Sequence, residues 1–250
     1  MHPYLAEFVG TALLVLFGDG VVAGAVLSRS KAQNAGWLAI TTGWALGVLL
    51  ALYSIGRISG GHINPAFTIA VASVGAFPWA QVPGYIAAQL LGGFVGAVVV
   101  WLAYLPHWGE TADPNLKLGV FCTMPAVRRP AANALTEFVG TFVLVFGVLA
   151  IADHAQSLRN ISNLDLSLVY SQGIQPMLVG MLVWGIGLSL GGPTGYAINP
   201  ARDLAPRLAH ALLPIAGPKR DSDWGYAWIP VLGPILGAVA GALTYKAIGF

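Results

Sequence analysis

Six long apolar segments restrict what this chain can fold into. They lie at about 4–27, 36–56, 83–105, 132–152, 173–190 and 226–248. Each is long enough to cross a bilayer as a helix, which takes about 20 mostly apolar residues. Only 9% of the 250 residues are charged, against about 25% in soluble domains. The sequence therefore predicts an all-α, multi-pass membrane protein embedded in a lipid bilayer.

Two further apolar segments, about 64–76 and 199–213, are too short to cross, and each begins with Asn-Pro-Ala. Polar or turn-rich connectors separate the segments, at 28–35, 106–131, 153–172 and 214–225. Backbone can stop inside a membrane only where it is buried in protein or lines a cavity. The two short segments are therefore predicted to be re-entrant half-helices.

The chain repeats itself in order. Residues 7–11 recur identically as 137–141, at an offset of 130 (137 − 7). Asn-Pro-Ala recurs at an offset of 135 (199 − 64), and a Gly-xxx-Gly pair at an offset of 145 (237 − 92). These matches predict one domain, 1–250, with homologous halves at about 1–112 and 130–250.

Each half contains three spans and one half-helix. Because three is odd, the second half must lie upside down relative to the first, as an inverted repeat about an axis in the membrane plane. The half-helices then enter from opposite faces and meet near the midplane. The expected fold is six transmembrane helices plus two re-entrant half-helices.

Asn-Pro-Ala has the chemistry of a helix start, because Asn is a favoured N-cap and proline suits the first helical position. If the side-chain oxygens of Asn64 and Asn199 cap their helices, their NH2 groups are left free to donate. Helix N-termini are also partly positive. Two facing caps would therefore repel cations and interrupt a proton-conducting file of water. An ordinary cap in a loop is the alternative, which the symmetric recurrence disfavours.

The two loops resemble the paired signature loops of the aquaporin superfamily, the major intrinsic proteins. The matching residues are Ser59 to Ala66, with Asn64-Pro65-Ala66, and Gly195 to Asp203, with Asn199-Pro200-Ala201. The resemblance covers the whole chain and implies a homotetramer with one pore per subunit. It also implies pore-lining carbonyls, a general device of filters, at Gly60, Gly61, His62 and Ile63 and at Gly195, Tyr196, Ala197 and Ile198.

Within that family the chain resembles the aquaglyceroporins, or glycerol uptake facilitators. An acidic residue after Asn-Pro-Ala-Arg, here Asp203, is usual in that branch. Pro230 followed by the non-aromatic Val231 also resembles it. Asp203 is expected to hold the second half-helix or its loop in place.

The resemblance implies a narrow filter of four residues, Trp44, Gly187, Tyr196 and Arg202. Water-selective members carry His where this chain has Gly187, so the glycine is expected to leave room for a carbon chain. Trp44 and Tyr196 would face the CH groups of a polyol, and Arg202 would donate to its hydroxyls. Tyr196 replaces a common Phe, and its hydroxyl could narrow or polarise the filter. A packing pair with Asp203 is the alternative interpretation of Arg202.

Other polar residues have expected roles. The resemblance implies that Glu7 and Glu137 are buried acceptors that brace the signature loops, the alternative being carboxylates in water near a helix end. Asp19 has no role beyond a position near the outer interface. His62 should contribute its carbonyl, with a braced ring. The other four histidines are expected to be peripheral, namely His2, His107, His154 and His210.

The sequence predicts a passive channel for glycerol and other small neutral solutes, including water. A water-selective aquaporin is the alternative, and a proton- or sodium-coupled transporter is less favoured because the midplane motifs supply Asn and no carboxylate. No convergent catalytic cluster indicates an enzyme, and no cluster has metal spacing, so no metal or cofactor is expected. A net charge of +2 does not favour nucleic acid. Urea, dihydroxyacetone and lactic acid stay unranked candidate solutes.

Charge and family disagree about orientation. The short termini favour a plasma membrane, specifically a bacterial inner membrane, and the family topology places both termini in the cytoplasm. Seven basic residues then lie outside: Arg29, Lys31, Lys117, Arg128, Arg129, Lys219 and Arg220. Three lie inside: Arg57, Arg159 and Lys246. This distribution opposes the positive-inside tendency, and the family topology is the one expected.

Overall fold

The computed structural model describes residues 1–159 and 165–249, and these residues form helices, turns and loops without a strand. The helices are α1 (Pro3–Val26), α2 (Gly36–Ser59), α3 (Pro65–Ser73), α4 (Val82–Ala103), α5 (Leu105–Glu110), α6 (Pro114–Phe121), α7 (Pro130–Ser157), α8 (Ser167–Val169), α9 (Gln175–Leu190), α10 (Pro200–Leu212) and α11 (Ile229–Ile248). A 3-10 turn, Trp79–Gln81, precedes α4, and a π turn, Tyr170–Ile174, joins α8 to α9.

Six helical segments are long and apolar enough to cross a membrane. They are Pro3–Val26, Gly36–Ser59, Trp79–Ala103, Pro130–Ser157, Ser167–Leu190 and Ile229–Ile248. The prediction of six spans is therefore confirmed. The predicted boundaries are least accurate around the fifth span, where helical structure resumes at Ser167, six residues before the expected start at 173.

The two half-helices, α3 and α10, have 9 and 13 residues. At about 1.5 Å per residue they are about 14 and 20 Å long, too short for a hydrocarbon core of about 30 Å. Helix α3 packs against α11, and α10 packs against α4. Each half-helix thus packs against the last span of the other half, and this packing joins the two halves.

The two halves also pack internally in the same way. Helix α1 packs on α2 and α4, as α7 packs on α9 and α11. A Cβ on Gly92 would lie 2.2 Å from the carbonyl oxygen of Phe8, and one on Gly237 would lie 2.1 Å from that of Phe138. These pairs are equivalent under the repeat. Only glycine permits such close backbone contact, so the repeated glycines are explained by packing.

The predicted connector 106–131 contains two short helices, most of α5 and all of α6, which is a correction to the sequence analysis. Asp113 caps α6 by accepting the N–H of Asn115 at 2.7 Å. The ammonium of Lys117 is buried and donates to the carbonyls of Ala216 and Pro218 at 2.6 and 3.0 Å. The segment is thereby fastened to the chain that follows α10. Helices of six and eight residues are too short to show a hydrophobic period.

The predicted connector 153–172 is also mostly helical where it is described. Helix α7 continues to Ser157, and helical structure resumes at Ser167. Residues 160–164 of that connector lie outside the described part of the chain.

Candidate functional site

The loops before the two half-helices have nearly the same backbone. The φ angle is 84° at Gly60 and 86° at Gly195, and 42° at Ile63 and 43° at Ile198. A β-branched residue at positive φ is a true outlier, and such strain costs about 1–3 kcal/mol. It persists only where the surrounding structure holds it. Two glutamates and two asparagines do so here.

Glu7 holds the first loop. Its Oε1 accepts the N–H of His62 at 2.9 Å, and its Oε2 accepts the N–H of Ile63 at 2.6 Å. The hydroxyl of Ser59 and the amide of Gln89 also donate to this carboxylate, at 2.6 and 2.8 Å. Glu7 is 0% exposed, so it is not a carboxylate in water.

Glu137 holds the second loop with the same geometry. It accepts the N–H groups of Ala197 and Ile198 at 3.0 and 2.8 Å, and it is 1% exposed. In a trans peptide the N–H and the preceding C=O point in opposite directions. These bonds therefore turn the preceding carbonyls away from the two glutamates. The residues that carry those carbonyls, Gly61, His62, Tyr196 and Ala197, line a common cavity.

Both asparagines cap their half-helices. The Oδ1 of Asn64 accepts the N–H of Ala66 at 2.9 Å. The Oδ1 of Asn199 accepts the N–H groups of Ala201 and Arg202 at 3.0 and 3.3 Å. Each helix begins at the proline that follows the asparagine, as the N-cap preference of Asn and the N1 preference of Pro predict.

The side-chain NH2 groups are not wholly free, which corrects the expectation. The Nδ2 of Asn64 donates to the carbonyl of Ile198, and the Nδ2 of Asn199 donates to the carbonyl of Ile63, both at 2.8 Å. Because an amide carries two N–H donors, each asparagine keeps one further donor. The carbonyls of Ile63 and Ile198, expected as solute acceptors, already accept one bond each.

The loops and spans enclose a cavity of about 290 Å³. The loops contribute backbone carbonyls and the two asparagine amides, and α10 contributes Arg202. The spans α1, α2, α7 and α9 contribute aliphatic side chains, namely Leu14, Val48, Leu52, Leu144, Val148, Leu149, Val179 and Val183. Gly60 lines the cavity with Gly61, His62 and Ile63, whereas Gly195 does not. The cavity thus combines a polar strip with apolar surface.

Three of the four predicted filter residues, Trp44, Tyr196 and Arg202, line this cavity. The Cζ of Arg202 lies 3.9 Å from the centroid of the Trp44 ring, a cation–π distance. Gly187 does not line the cavity. A Cβ at Gly187 would lie 2.9 Å from the Cζ of Tyr196 and 3.0 Å from the Cγ2 of Thr41. The glycine therefore makes room for the tyrosine ring and leaves no open space for a solute.

The hydroxyl of Tyr196, expected to narrow or polarise the filter, is buried beside Gly187. Its oxygen is buried and has no hydrogen-bond partner within residues 1–159 and 165–249. The ring contacts Trp37 edge-on at 5.7 Å, and the indole of Trp37 donates to the carbonyl of Gly187 at 3.0 Å. Sequence reasoning missed Trp37 and Thr41. Their spacing from Trp44 places all three on one face of α2, which is the signal that could have found them.

Asp203 pairs with Arg207, one turn later, and the alternative pair with Arg202 is wrong. The Nε of Arg207 donates to Asp203 at 2.8 Å, and both side chains are fully buried. Asp203 also accepts the N–H and the hydroxyl of Thr123 at 2.8 and 2.6 Å. Arg207 donates to the carbonyl of Ser222 at 2.7 Å. The pair joins α10 to the segments before α7 and α11.

Three further polar residues are Asp19, His210 and His62. Asp19 is 0% exposed, and neither carboxylate oxygen has a hydrogen-bond partner in the described chain. Asp19 therefore lies inside the protein and away from solvent. His210, expected to be peripheral, is buried with its Nδ1 2.8 Å from the hydroxyl of Ser222. The ring of His62 is braced by the hydroxyl of Thr68 at 3.1 Å.

Comparison with known proteins agrees with this architecture. The model of the major intrinsic protein family matches residues 1–245. A probable glycerol uptake facilitator protein of Thermotoga maritima is 60% identical, over 98% of this chain and 99% of that protein. A glycerol uptake facilitator protein of Bacillus subtilis is 52% identical, over 99% of this chain and 85% of that protein.

A solved structure has the same fold. The aquaglyceroporin from Plasmodium falciparum superposes with a TM-score of 0.81 and 25% sequence identity, over 98% of this chain and 95% of that one. The family model, the similar sequences and the solved structure all agree with the paired loops. The chain belongs to the major intrinsic protein family, as its two Asn-Pro-Ala loops predict.

Proposed function

We propose that this protein is a passive channel for glycerol and other small neutral solutes, including water. The observation that carries the proposal is the two-sided lining of the 290 Å³ cavity. A polyol has hydroxyl groups along one side of a carbon chain. The loop carbonyls can accept from these hydroxyls while the aliphatic span residues contact the CH groups. The similarity to glycerol uptake facilitators of Thermotoga maritima and Bacillus subtilis supports glycerol as the solute.

The central asparagines would orient the solute. Each retains one amide N–H beyond its bond to the opposite loop. Two donors at one point favour a solute oxygen that accepts from both. The positive ends of α3 and α10 meet at the same place. Cations and protons are therefore disfavoured there.

Trp44, Tyr196 and Arg202 would form the narrow filter. Arg202 offers charged donors to hydroxyl groups, and the aromatic rings offer apolar surface. Gly187 would act through Tyr196, since the tyrosine ring occupies the space beside it. The carbonyl ladder would comprise Gly60, Gly61, His62, Tyr196 and Ala197. The carbonyls of Ile63 and Ile198 would mainly accept the hydrogen bonds of the two asparagine amides.

A coupled transporter is less consistent with the buried glutamates. Coupling needs a carboxylate that is free to gain and lose a proton or a cation. Both oxygens of Glu7 and of Glu137 are occupied by backbone N–H groups. These residues therefore suit a bracing role, and Asp19, a buried carboxylate without a hydrogen-bond partner in the described chain, does not line the pore cavity. A water-selective pore is disfavoured by the filter, because Gly187 stands where water-selective members carry His.

The protein would function as a homotetramer with one pore per subunit, in a plasma membrane such as a bacterial inner membrane. Many large apolar side chains on its spans are exposed, including Leu91, Leu236 and Met181 at 62%, 61% and 55%. Contact with lipid or with neighbouring subunits would cover them. Both termini would lie in the cytoplasm. Urea, dihydroxyacetone and lactic acid would be further candidate solutes.

The test is solute flux in proteoliposomes followed by stopped-flow light scattering. Glycerol should enter faster than in protein-free liposomes, without saturation and independently of a proton gradient. A planar bilayer should show no proton or potassium current. Glycerol entry no faster than in protein-free liposomes would contradict the proposal. Flux that follows the proton gradient would favour the transporter.

A further inference from the structure

A second cavity, of about 520 Å³, lies at one mouth of the pore, between the end of α2 and the start of α9. Four of its lining residues also line the pore cavity, namely Leu52, Gly60, Gln175 and Val179. The two spaces therefore adjoin, and a solute that uses this mouth passes through the second cavity. We call this space the α2–α9 vestibule.

The vestibule has several polar side chains in its lining. Arg57, Gln172 and Gln175 project from its walls, and no carboxylate lines it among the described residues. The guanidinium of Arg57 takes part in no ion pair or hydrogen bond within the described chain. Arg57 is exposed to solvent in the vestibule. An unpaired guanidinium beside two amides is a place for an anion.

One hydrogen bond joins the two walls of the vestibule. Tyr53 lies one turn before Arg57 on the same face of α2. The hydroxyl of Tyr53 donates to the carbonyl of Gly173 at 2.5 Å. Gly173 belongs to the π turn Tyr170–Ile174 that carries Gln172, and π turns within helices are frequent at functional sites. The bond holds the backbone segments that carry Arg57 and Gln172 on facing walls of the vestibule.

A cation near a helix C-terminus also interacts favourably with the helix dipole, and Arg57 lies in the last turn of α2. That interaction accounts for a basic residue at this position. It does not account for the cavity, for the amides of Gln172 and Gln175, or for the absence of acidic side chains in the described lining.

We infer that the α2–α9 vestibule binds a phosphate group at the mouth of the pore, and that the phosphate ester of a small polyol is its ligand. Guanidinium groups match phosphate oxygens with two parallel hydrogen bonds. The amides of Gln172 and Gln175 can bind the polyol hydroxyls. The inference rests on the proposed function, because the occupant would block glycerol in the adjoining pore. A lipid headgroup carries the same phosphate chemistry and is the competing source.

Binding is measured first by calorimetry on the purified protein in a maltoside detergent, which contains no phosphate. The probes are glycerol 3-phosphate and inorganic phosphate. We expect Arg57→Gln to weaken binding of glycerol 3-phosphate at least tenfold. The matched control is Arg159→Gln, which removes an exposed arginine outside the vestibule lining and should bind as the wild type does. Equal binding by both variants, or no binding by the wild type, overturns the inference for a free ester.

Glycerol flux distinguishes a free ester from a lipid headgroup as the source of the phosphate. It also distinguishes a failure of this inference from a failure of the proposed function. With glycerol 3-phosphate on both sides of the membrane, glycerol entry should slow in the wild type and in Arg159→Gln but not in Arg57→Gln. Glycerol entry can instead slow only when phosphatidylglycerol is added, without ester, and in a way that depends on Arg57. That result assigns the site to a lipid headgroup and overturns the inference that a free ester is the ligand. For each variant the glycerol rate with ester is divided by its own rate without ester, so a change of basal flux in Arg57→Gln does not enter the comparison. Failure of the wild type to conduct would contradict the proposed function, whereas calorimetric binding would still test the vestibule.

Discussion

Asn64 and Asn199 are bonded to each other's loops. Each side-chain amide donates at 2.8 Å to the carbonyl of the isoleucine that precedes the other asparagine. Those isoleucines, Ile63 and Ile198, have φ angles of 42° and 43°. The strained backbone turns the two carbonyls toward the opposite asparagine. The strain and the cross-bonds therefore form one symmetric unit, in which neither loop is fixed without the other.

The first prediction concerns this unit. Replacing Asn64 or Asn199 by Asp keeps a capping oxygen but removes the amide donor to the opposite loop. Each variant should lose about 1–3 kcal/mol of stability, because a buried carbonyl loses its partner and faces a carboxylate. Glycerol flux should fall in both. Thermal unfolding in detergent and flux in liposomes measure the two effects.

The matched control is Asn→Ala at each site, which loses the cap as well, at a further cost of about 0.5–2 kcal/mol. The two sites should respond alike, because their bonds are equivalent. One silent Asp variant beside one that conducts as the wild type does would contradict the symmetric arrangement.

The second prediction compares the two bracing glutamates. Gln in place of Glu7 or Glu137 keeps one acceptor oxygen and turns an NH2 group toward a backbone N–H. Each lost bond leaves a buried donor unpaired, at about 1–3 kcal/mol. Glu7 also accepts from Ser59 and Gln89, so Glu7→Gln should be the more destabilising change. Unfolding temperatures of the two variants measure the order, and the reverse order would count against the bond assignment.

Much of the fold follows from the sequence because its signals are long or repeated. Spans of about 20 apolar residues, the recurring Glu-Phe-Val-Gly-Thr segment and the paired Asn-Pro-Ala motifs predict six spans and two half-helices. The backbone of the loops follows less directly. The positive φ of Ile63 and Ile198 contradicts local preference, and only the bonds from Glu7, Glu137 and the asparagines account for it.

The remaining site residues depend on contacts between distant segments. Trp37 and Thr41 belong to the site because Trp37 contacts the Tyr196 ring and Thr41 lies beside Gly187. Arg207 belongs to it because its guanidinium pairs with the carboxylate of Asp203. The spacing of Trp37 and Thr41 places them on one face of α2 but does not indicate Tyr196 as their neighbour. The spacing of Asp203 and Arg207, one turn apart on α10, does indicate their pair. Asp19 has no role predicted from the sequence, and nothing in the structure explains why a carboxylate lies there without a hydrogen-bond partner in the described chain.

The third prediction tests the role of Gly187. A Cβ at this position would come within 2.9 Å of the Tyr196 ring, so even Gly187→Ala should push the ring toward the pore. Glycerol flux should fall more than water flux, because the wider solute meets the displaced ring first. Combining Gly187→Ala with Tyr196→Leu should restore part of the glycerol flux. Stopped-flow rates for both solutes measure the ratio, and an unchanged ratio in folded protein would contradict this packing.

The fourth prediction concerns the Tyr196 hydroxyl. It is buried without a hydrogen-bond partner in the described chain, so it adds nothing to the filter surface. Tyr196→Phe should leave glycerol and water flux unchanged. Stability should stay equal or rise slightly, because an unpaired buried hydroxyl is unfavourable. A changed glycerol-to-water ratio in the Phe variant would show that the hydroxyl reaches the solute.

The last prediction concerns Asp203 and Arg207, which are both fully buried. Asp203→Asn leaves the guanidinium of Arg207 without its counter-charge, and breaking one side of a buried pair costs about 3–5 kcal/mol. The comparison is Glu110→Gln, which breaks the exposed pair with Arg29 and should have no measurable effect, because surface ion pairs contribute little.

A double-mutant cycle with Arg207→Met isolates the interaction between the two side chains. The double variant should be less destabilised than the sum of the two single variants, because it leaves no unpaired buried charge. Glycerol flux should fall with Asp203→Asn, since Asp203 is the residue after Arg202 and its bonds to Thr123 hold the start of α10. If the losses of stability in the two single variants simply add in the double variant, the two groups act independently. The ion pair would then not hold the second half-helix.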